Sequence, residues 1–131
     1  MTEDELNSLS EMVIGCCYTI SNALGSGFLE KVYESALAHE LRKLGLKVEN
    51  QKPLFVFYDG VIVGEYFADL LIEGVLLIEL KTTNGFSDNH KAQCINYLNA
   101  TKLPLCLLIN FGRPRVEVKR IFQSQFVVNI A

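Results

Sequence analysis

The stretch Phe67-Ala-Asp69-Leu-Leu-Ile-Glu-Gly74-Val-Leu-Leu-Ile-Glu79-Leu-Lys81 decides the fold. Glu73-Gly74 is a turn signal between two apolar runs. Residues 70–72 and 75–78 lack the polar alternation of a half-exposed strand. Both runs are therefore expected at the centre of a sheet, covered on both faces. Asp69, Glu79 and Lys81 break the pattern, and a buried charge is costly unless it is paired or binds a metal. Glu79 and Lys81 are two residues apart and share a strand face. Two carboxylates with a backbone carbonyl and waters make a hard-cation site suited to Mg²⁺. A lysine beside them can orient a water or offset charge developing on a phosphate. An Asp69–Lys81 or Glu79–Lys81 ion pair at the sheet end accounts for the same residues. Register bears on the choice. A strict two-residue turn pairs Ile72 with Val75 and leaves Asp69 and Glu79 on opposite faces. Convergence needs a one-residue shift, through a three-residue loop or a bulge, and such an irregularity is expected.

Upstream, residues 61–72 read as one long strand. It is joined by the hairpin signal Asp59-Gly60 to a strand at 54–58, which starts behind Pro53. Two helices precede them. Thr2 with Glu5 forms a capping box, so the first helix starts at Glu3 and breaks at Gly25-Ser-Gly27. The second runs from about Leu29 to a stop at Gly45, with Tyr33, Leu37, Leu41 and Leu44 on one face. Downstream, 82–87 is a loop, and Ser87 or Asp88 caps a third helix that runs to about Ala100. Strands are expected at 105–110 and 116–122, separated by Gly112-Arg-Pro114. The order ααβββαββ implies an α/β fold, a mixed central sheet flanked by helices, in a single domain spanning 1–131.

Composition bounds the function. Half of the 131 residues are hydrophobic and 21% are charged, which excludes a disordered chain. The apolar runs are too short to span a membrane, and the acidic N-terminus is unlike a secretory signal peptide. A net charge of −3 argues against coating DNA by bulk charge. The charge is uneven, however: residues 1–50 carry 8 acids and 4 bases, whereas 51–131 carry 7 acids and 8 bases. Cys16, Cys17, Cys94 and Cys106 form no CxxC and read as reduced thiols of a cytoplasmic protein rather than a zinc site. The apolar tail 126–130 is a candidate surface for a homo-oligomer.

Three further groups invite chemistry, and each also has a plain structural explanation. His90, Gln93 and Tyr97 share a helix face, where Gln93 and Tyr97 can reach a phosphate or a water, or else serve the core and a backbone group. Glu30 lies in the first turn of the second helix, where the helix dipole alone favours a carboxylate. Arg113, Arg115, Lys119 and Arg120 form a basic cluster opposed only by Glu117; on a strand, Arg113, Arg115 and Lys119 fall on one face, either to guide a phosphate backbone or simply as a solvated edge.

The ordered series Gly27-x-x-Glu30-x-x-Tyr33, Phe67-Ala-Asp69, Ile78-Glu79-Leu-Lys81, His90-x-x-Gln93-x-x-x-Tyr97 and Leu107-Leu-Ile-Asn-Phe-Gly112 resembles the GxxExxY family of the PD-(D/E)xK nuclease-like superfamily. The resemblance implies a restriction-endonuclease-like core with the active site at one sheet edge. It assigns Asp69 and Glu79 to the metal, with Glu30 as the acid of the first core helix. Lys81 becomes the superfamily lysine, and Gln93 and Tyr97 resemble the QxxxY element of RecB-like nucleases. Ala68 stands where the superfamily name has proline. The implied function is Mg²⁺-dependent hydrolysis of phosphodiester bonds, with Mn²⁺ as a substitute metal and DNA favoured over RNA. The alternative is a non-catalytic nucleic-acid-binding or protein-interaction module on the same fold.

Overall fold

The computed structural model describes residues 1–124. Its elements are α1 (Glu3–Leu24), α2 (Glu30–Lys43), β1 (Val48–Tyr58), β2 (Val61–Ile72), β3 (Leu76–Lys81), α3 (Asp88–Thr101), β4 (Leu105–Asn110) and β5 (Glu117–Phe122). The strands form one sheet in the order β1-β2-β3-β4-β5. Among the described residues only the β3–β4 pair is parallel, joined by the α3 crossover, so the sheet is mixed as expected. The apolar tail 126–130 lies outside the described residues.

β3 is central, and its alternate side chains enter two separate cores. Leu76, Ile78 and Leu80 pack with Leu105, Leu107 and Ile109 under α1 and α2. Leu77, Cys106 and Leu108 pack with Cys94, Tyr97 and Leu98 of α3. This two-sided burial is why the strand sequences show no alternation. α1 begins where the sequence places it, with the Thr2 side chain accepting from the Glu5 N–H. No side chain caps α2. Its entry is fixed instead by Tyr33, which donates from its hydroxyl to the Gly25 carbonyl at 2.7 Å and stacks on Phe111 at 4.5 Å. The chain reaches that point through Gly27 at φ 116°, a conformation that favours glycine.

The turn between β2 and β3 carries the anticipated irregularity. Glu73 and Gly74 both have positive φ, and the Val75 N–H closes the turn on the Ile72 carbonyl at 3.0 Å. Ile72 then pairs with Leu76 rather than Val75, so Val75 is an extra residue and β3 starts one residue later than the sequence suggested. The shifted register continues as Leu71↔Leu77 and Leu70↔Ile78, which brings Asp69 opposite Glu79.

β1 and β2 continue past this point as a two-stranded ribbon, closed by the Asp59-Gly60 turn. β2 therefore leaves β3 at Asp69, and the sheet forks there. β1 starts at Val48, six residues earlier than expected, because a polar edge strand tolerates the Pro53 that masks it. Beyond β3, the loop 82–87 is clamped by Asn110. The Asn110 amide accepts from the Thr83 N–H at 3.0 Å and donates to the Thr83 carbonyl at 2.9 Å. Gly112 lies so close to this loop that a Cβ would strike the Thr83 backbone and stand 2.6 Å from the Thr82 carbonyl carbon.

Candidate active site

The fork leaves backbone groups without ladder partners, and Asp69 supplies one. Its Oδ2 accepts the Leu80 N–H at 2.7 Å, in place of the carbonyl that a continued β2 would offer. Its Oδ1 accepts from Gln51 Nε2 at 3.1 Å. Glu79, 3% exposed, points to the α3 side, where the Tyr97 hydroxyl donates to its Oε2 at 2.7 Å. That hydroxyl also lies 3.0 Å from the Phe67 carbonyl, so α3 is tied to both β2 and β3.

The electrostatics follow from this crowding. Burial, then the hydrogen bond and charge of Asp69, push Glu79 up to about 9, against the pull of Tyr97 and Lys81. Glu79 is therefore the carboxyl of this site that holds its proton well above the ordinary carboxylate range. Tyr97 is raised in turn by burial and by the Glu79 carboxylate. Glu30 is exposed at the start of α2. Partial burial raises it, Lys81 opposes that shift, and Asp69 adds to it, so α2 presents its acid within electrostatic reach of the fork. Lys81 forms no ion pair among the described residues, although its charge is felt at Glu30, Glu79 and His90. The sequence alternative of an Asp69–Lys81 or Glu79–Lys81 bridge is therefore not what the fork contains. Gln93 is half-buried one turn before Tyr97. His90 turns out to be a cap: its Nδ1 accepts the Ser87 N–H at 3.1 Å, completing a capping box.

Two residues were missed in the sequence. Glu34, buried in the apolar stripe of α2, accepts from Lys31 at 3.0 Å, Asn50 Nδ2 at 2.9 Å and Gln51 Nε2 at 2.6 Å. These donors overcome its burial and hold it below the usual carboxylate range. Gln51 therefore bridges Glu34 and Asp69, from the left-handed conformation φ 48°. Glu34, Gln51, Asp69, Glu30, Lys31 and Leu80 line a pocket of roughly 220 Å³ beside the fork. The signal for Glu34 was a carboxylate at helical spacing among Tyr33, Leu37 and Leu41; Gln51 had none. Replacing Glu34 by alanine is expected to cost about 1–2 kcal/mol, because a buried carboxylate loses its hydrogen bonds to Lys31, Asn50 and Gln51, while the exposed donors can turn to water. Urea denaturation of Glu34→Ala against wild type checks this.

The basic cluster is not one strand face. β5 starts at Glu117, so Arg113 and Arg115 lie in the preceding turn, where Arg113 donates to the Asn84 carbonyl at 3.2 Å. Arg120 turns to the other side of the sheet, onto Ser10. Lys119 stays beside Lys91 of α3, and their like charges lower the Lys119 pKa.

A family model of the PD-(D/E)XK nuclease superfamily matches residues 7–121. The chain belongs to this superfamily. No curated protein matches the sequence. Two solved structures show the same fold. The crystal structure of SSO0001 shares 20% identity with a TM-score of 0.54, covering 93% of this chain and 64% of that one. An alkaline exonuclease (LHK-Exo) from Laribacter hongkongensis shares 14% identity with a TM-score of 0.55, covering 99% and 76%. The present chain thus spans just under two-thirds of the SSO0001 structure.

PD-(D/E)XK nucleases generally use divalent metal ions. Among the described residues, no group of three or more His, Cys, Asp and Glu side chains is arranged as a complete ligand set. The donor chemistry nevertheless fits a hard dication. Asp69 and Glu79 are hard oxygen donors pressed together, and the burial and mutual repulsion that raise Glu79 are what a cation would relieve. No helix of the described residues is long and apolar enough to cross a membrane.

Proposed function

We propose that this chain is a Mg²⁺-dependent nuclease of the GxxExxY type that hydrolyses phosphodiester bonds in DNA, with Mn²⁺ as a substitute, and that it works in the cytoplasm. The observation that carries this reading is the forked sheet end, where Asp69 and Glu79 are crowded together beside a lysine that forms no ion pair among the described residues. Asp69 and Glu79 would hold the metal, with Glu30 of α2 as the third acid. When bound, the cation supplies Lewis-acid polarisation of the phosphoryl oxygen and a more acidic water.

The chain's own residues do the rest. The Tyr97 hydroxyl fixes the Glu79 carboxylate through Oε2. Gln51 and the Leu80 N–H hold the two oxygens of Asp69. Lys81 positions the attacking water and offsets charge on the phosphate. Gln93, on the same α3 face as Tyr97, contacts substrate or water. Lys91 and Lys119, two like charges kept close on one surface, favour a phosphate beside them. Four free thiols support a reducing compartment.

The test is a cleavage assay with linear, circular and single-stranded DNA, and RNA, in Mg²⁺, Mn²⁺ or EDTA. Metal-dependent DNA cleavage that disappears in Asp69→Asn is expected. No cleavage by folded wild type on any substrate overturns the nuclease reading in favour of a binding module. Cleavage confined to RNA overturns the choice of DNA.

A further inference from the structure

Asp69 is held at both of its oxygens, but by donors of different kinds. The Leu80 N–H on Oδ2 belongs to the backbone and is fixed by the sheet itself. The donor on Oδ1 is the Gln51 amide, at the end of a long, exposed side chain. Such a side chain is ordinarily free to turn, and holding it in one rotamer costs entropy. Its usefulness to Asp69 depends on whatever holds it still.

Glu34 does so. Gln51 Nε2 lies 2.6 Å from Glu34 Oε1 and 3.1 Å from Asp69 Oδ1, so one amide nitrogen serves both carboxylates. Ionised carboxylates only accept, which makes the amide present its nitrogen to them and turn its oxygen away. The backbone is bent to the same end. β1 pairs with β2 at Asn50↔Leu70 and Lys52↔Ala68, and between them Gln51 takes φ 48°. A non-glycine residue keeps that conformation only where its surroundings enforce it. Glu34 is itself fastened: it is 3% exposed and also accepts from Lys31 at 3.0 Å and from Asn50 at 2.9 Å. Asn50 accepts in turn from Arg42 at 2.7 Å. A chain of hydrogen bonds thus runs from α2 across β1 to the fork. Glu30 and Glu34 are one turn apart on α2, so the same contact seats the helix that carries Glu30.

We propose that Glu34 is a positioning residue for the cation: acting through the Gln51 amide, it sets the orientation of Asp69 and does not itself hold the metal. The inference rests on the reading of Asp69 as a metal ligand. Held at both oxygens, Asp69 has little freedom left to lose when an ion binds. Without the charge of Glu34, the Gln51 amide is free to swing into solvent or to turn its oxygen toward Asp69, which removes the donor that fixes the ligand. A role limited to anchoring α2 on β1 predicts a loss of stability that has no connection with Gln51.

The test is Mn²⁺ binding to the full chain, followed by isothermal titration calorimetry at neutral pH. Wild type, Glu34→Gln, Gln51→Met and the double variant are compared, with far-ultraviolet circular dichroism to show that each is folded. Each single substitution is expected to weaken Mn²⁺ binding about tenfold, as changes to the partners of metal ligands do. The double variant is expected to bind no more weakly than the singles, because both changes break the same path. A single variant of either kind that binds like wild type overturns the proposal. So does a double variant weakened by the product of the singles, about a hundredfold, which would make Glu34 act independently of Gln51. Wild type that takes up no Mn²⁺ overturns the metal reading of the fork and the positioning role with it, whereas the other failures leave that reading standing.

Discussion

Replacing Lys81 by methionine is expected to lower kcat by about 10³-fold, with KM little changed and the fold intact. The ammonium group has no ion-pair partner among the described residues, so its removal leaves no buried counter-charge behind. Stability should change by less than about 1 kcal/mol. The lysine is nevertheless held at the junction of three elements. It ends β3, where its own carbonyl accepts the Phe111 N–H at 2.9 Å and Asn110 clamps the loop that follows, and its charge is felt on α2 at Glu30 and on α3 at His90. The placement has a readout that needs no substrate. His90 is held below its usual value by burial first and by Lys81 second. In Lys81→Met, titration followed by NMR should show the His90 pKa move up. A variant with full activity would remove Lys81 from the reaction. An unmoved His90 would show that the lysine does not sit where the fold puts it.

Much of this arrangement was legible because burial writes itself into sequence. β4 was expected at the residues where it lies, since a run of six buried side chains between Pro104 and Gly112 leaves little choice. The register shift was legible for another reason: the chemistry of Asp69 and Glu79 demanded that they meet, and a strict turn forbade it. What stayed hidden was backbone detail that side-chain identity does not encode. Nothing about Gln51 announces φ 48°, yet that conformation sends its amide between Glu34 and Asp69. Glu34 was visible only as an anomaly in an apolar stripe, and N-terminal charge matching drew attention to Glu30 instead. Arg113 and Arg115 were assigned to a strand face by extending periodicity through Pro114, where the chain is still in a turn. His90 shares a helix face with Gln93 and Tyr97 by spacing, but its position three residues after Ser87, the capping-box spacing, is what decides its role.

The fork also explains why stability and function oppose each other at this sheet end. A continued β2–β3 ladder would pair the Leu80 N–H with a carbonyl and leave Asp69 unneeded. Instead the carboxylate takes that amide, and the neighbouring carboxyl of Glu79 stays buried beside it. The arrangement costs free energy without a cation and suits one when it is present.

Glu79→Gln is accordingly expected to stabilise the metal-free protein at neutral and alkaline pH, by at least about 2 kcal/mol at pH 8. The sign follows from the two states. In the unfolded chain Glu79 ionises at its ordinary value of 4.5; in the folded chain burial and Asp69 raise it to about 9. Below pH 4.5 the group is protonated in both states and contributes no penalty. Between 4.5 and 9 the unfolded chain releases a proton that the folded chain retains, so stability falls as pH rises, by up to about 1.4 kcal/mol per unit. Above 9 both states are ionised and the loss levels off. Glutamine keeps the shape, can accept from Tyr97 and donate to Asp69, and has no proton to lose. Urea unfolding in EDTA from pH 5 to 9 should therefore show a wild-type decline that is absent in the variant. Adding Mg²⁺ or Mn²⁺ at pH 8 should raise the wild type toward the variant and move the variant far less, because the ion binds the folded pair and displaces its proton. A wild type whose stability is flat across this range would mean that Glu79 is already ionised and compensated by something other than a metal. A Glu79→Gln variant that is less stable in EDTA would mean that the carboxylate is a structural anchor, and the metal reading of the fork would fall with it.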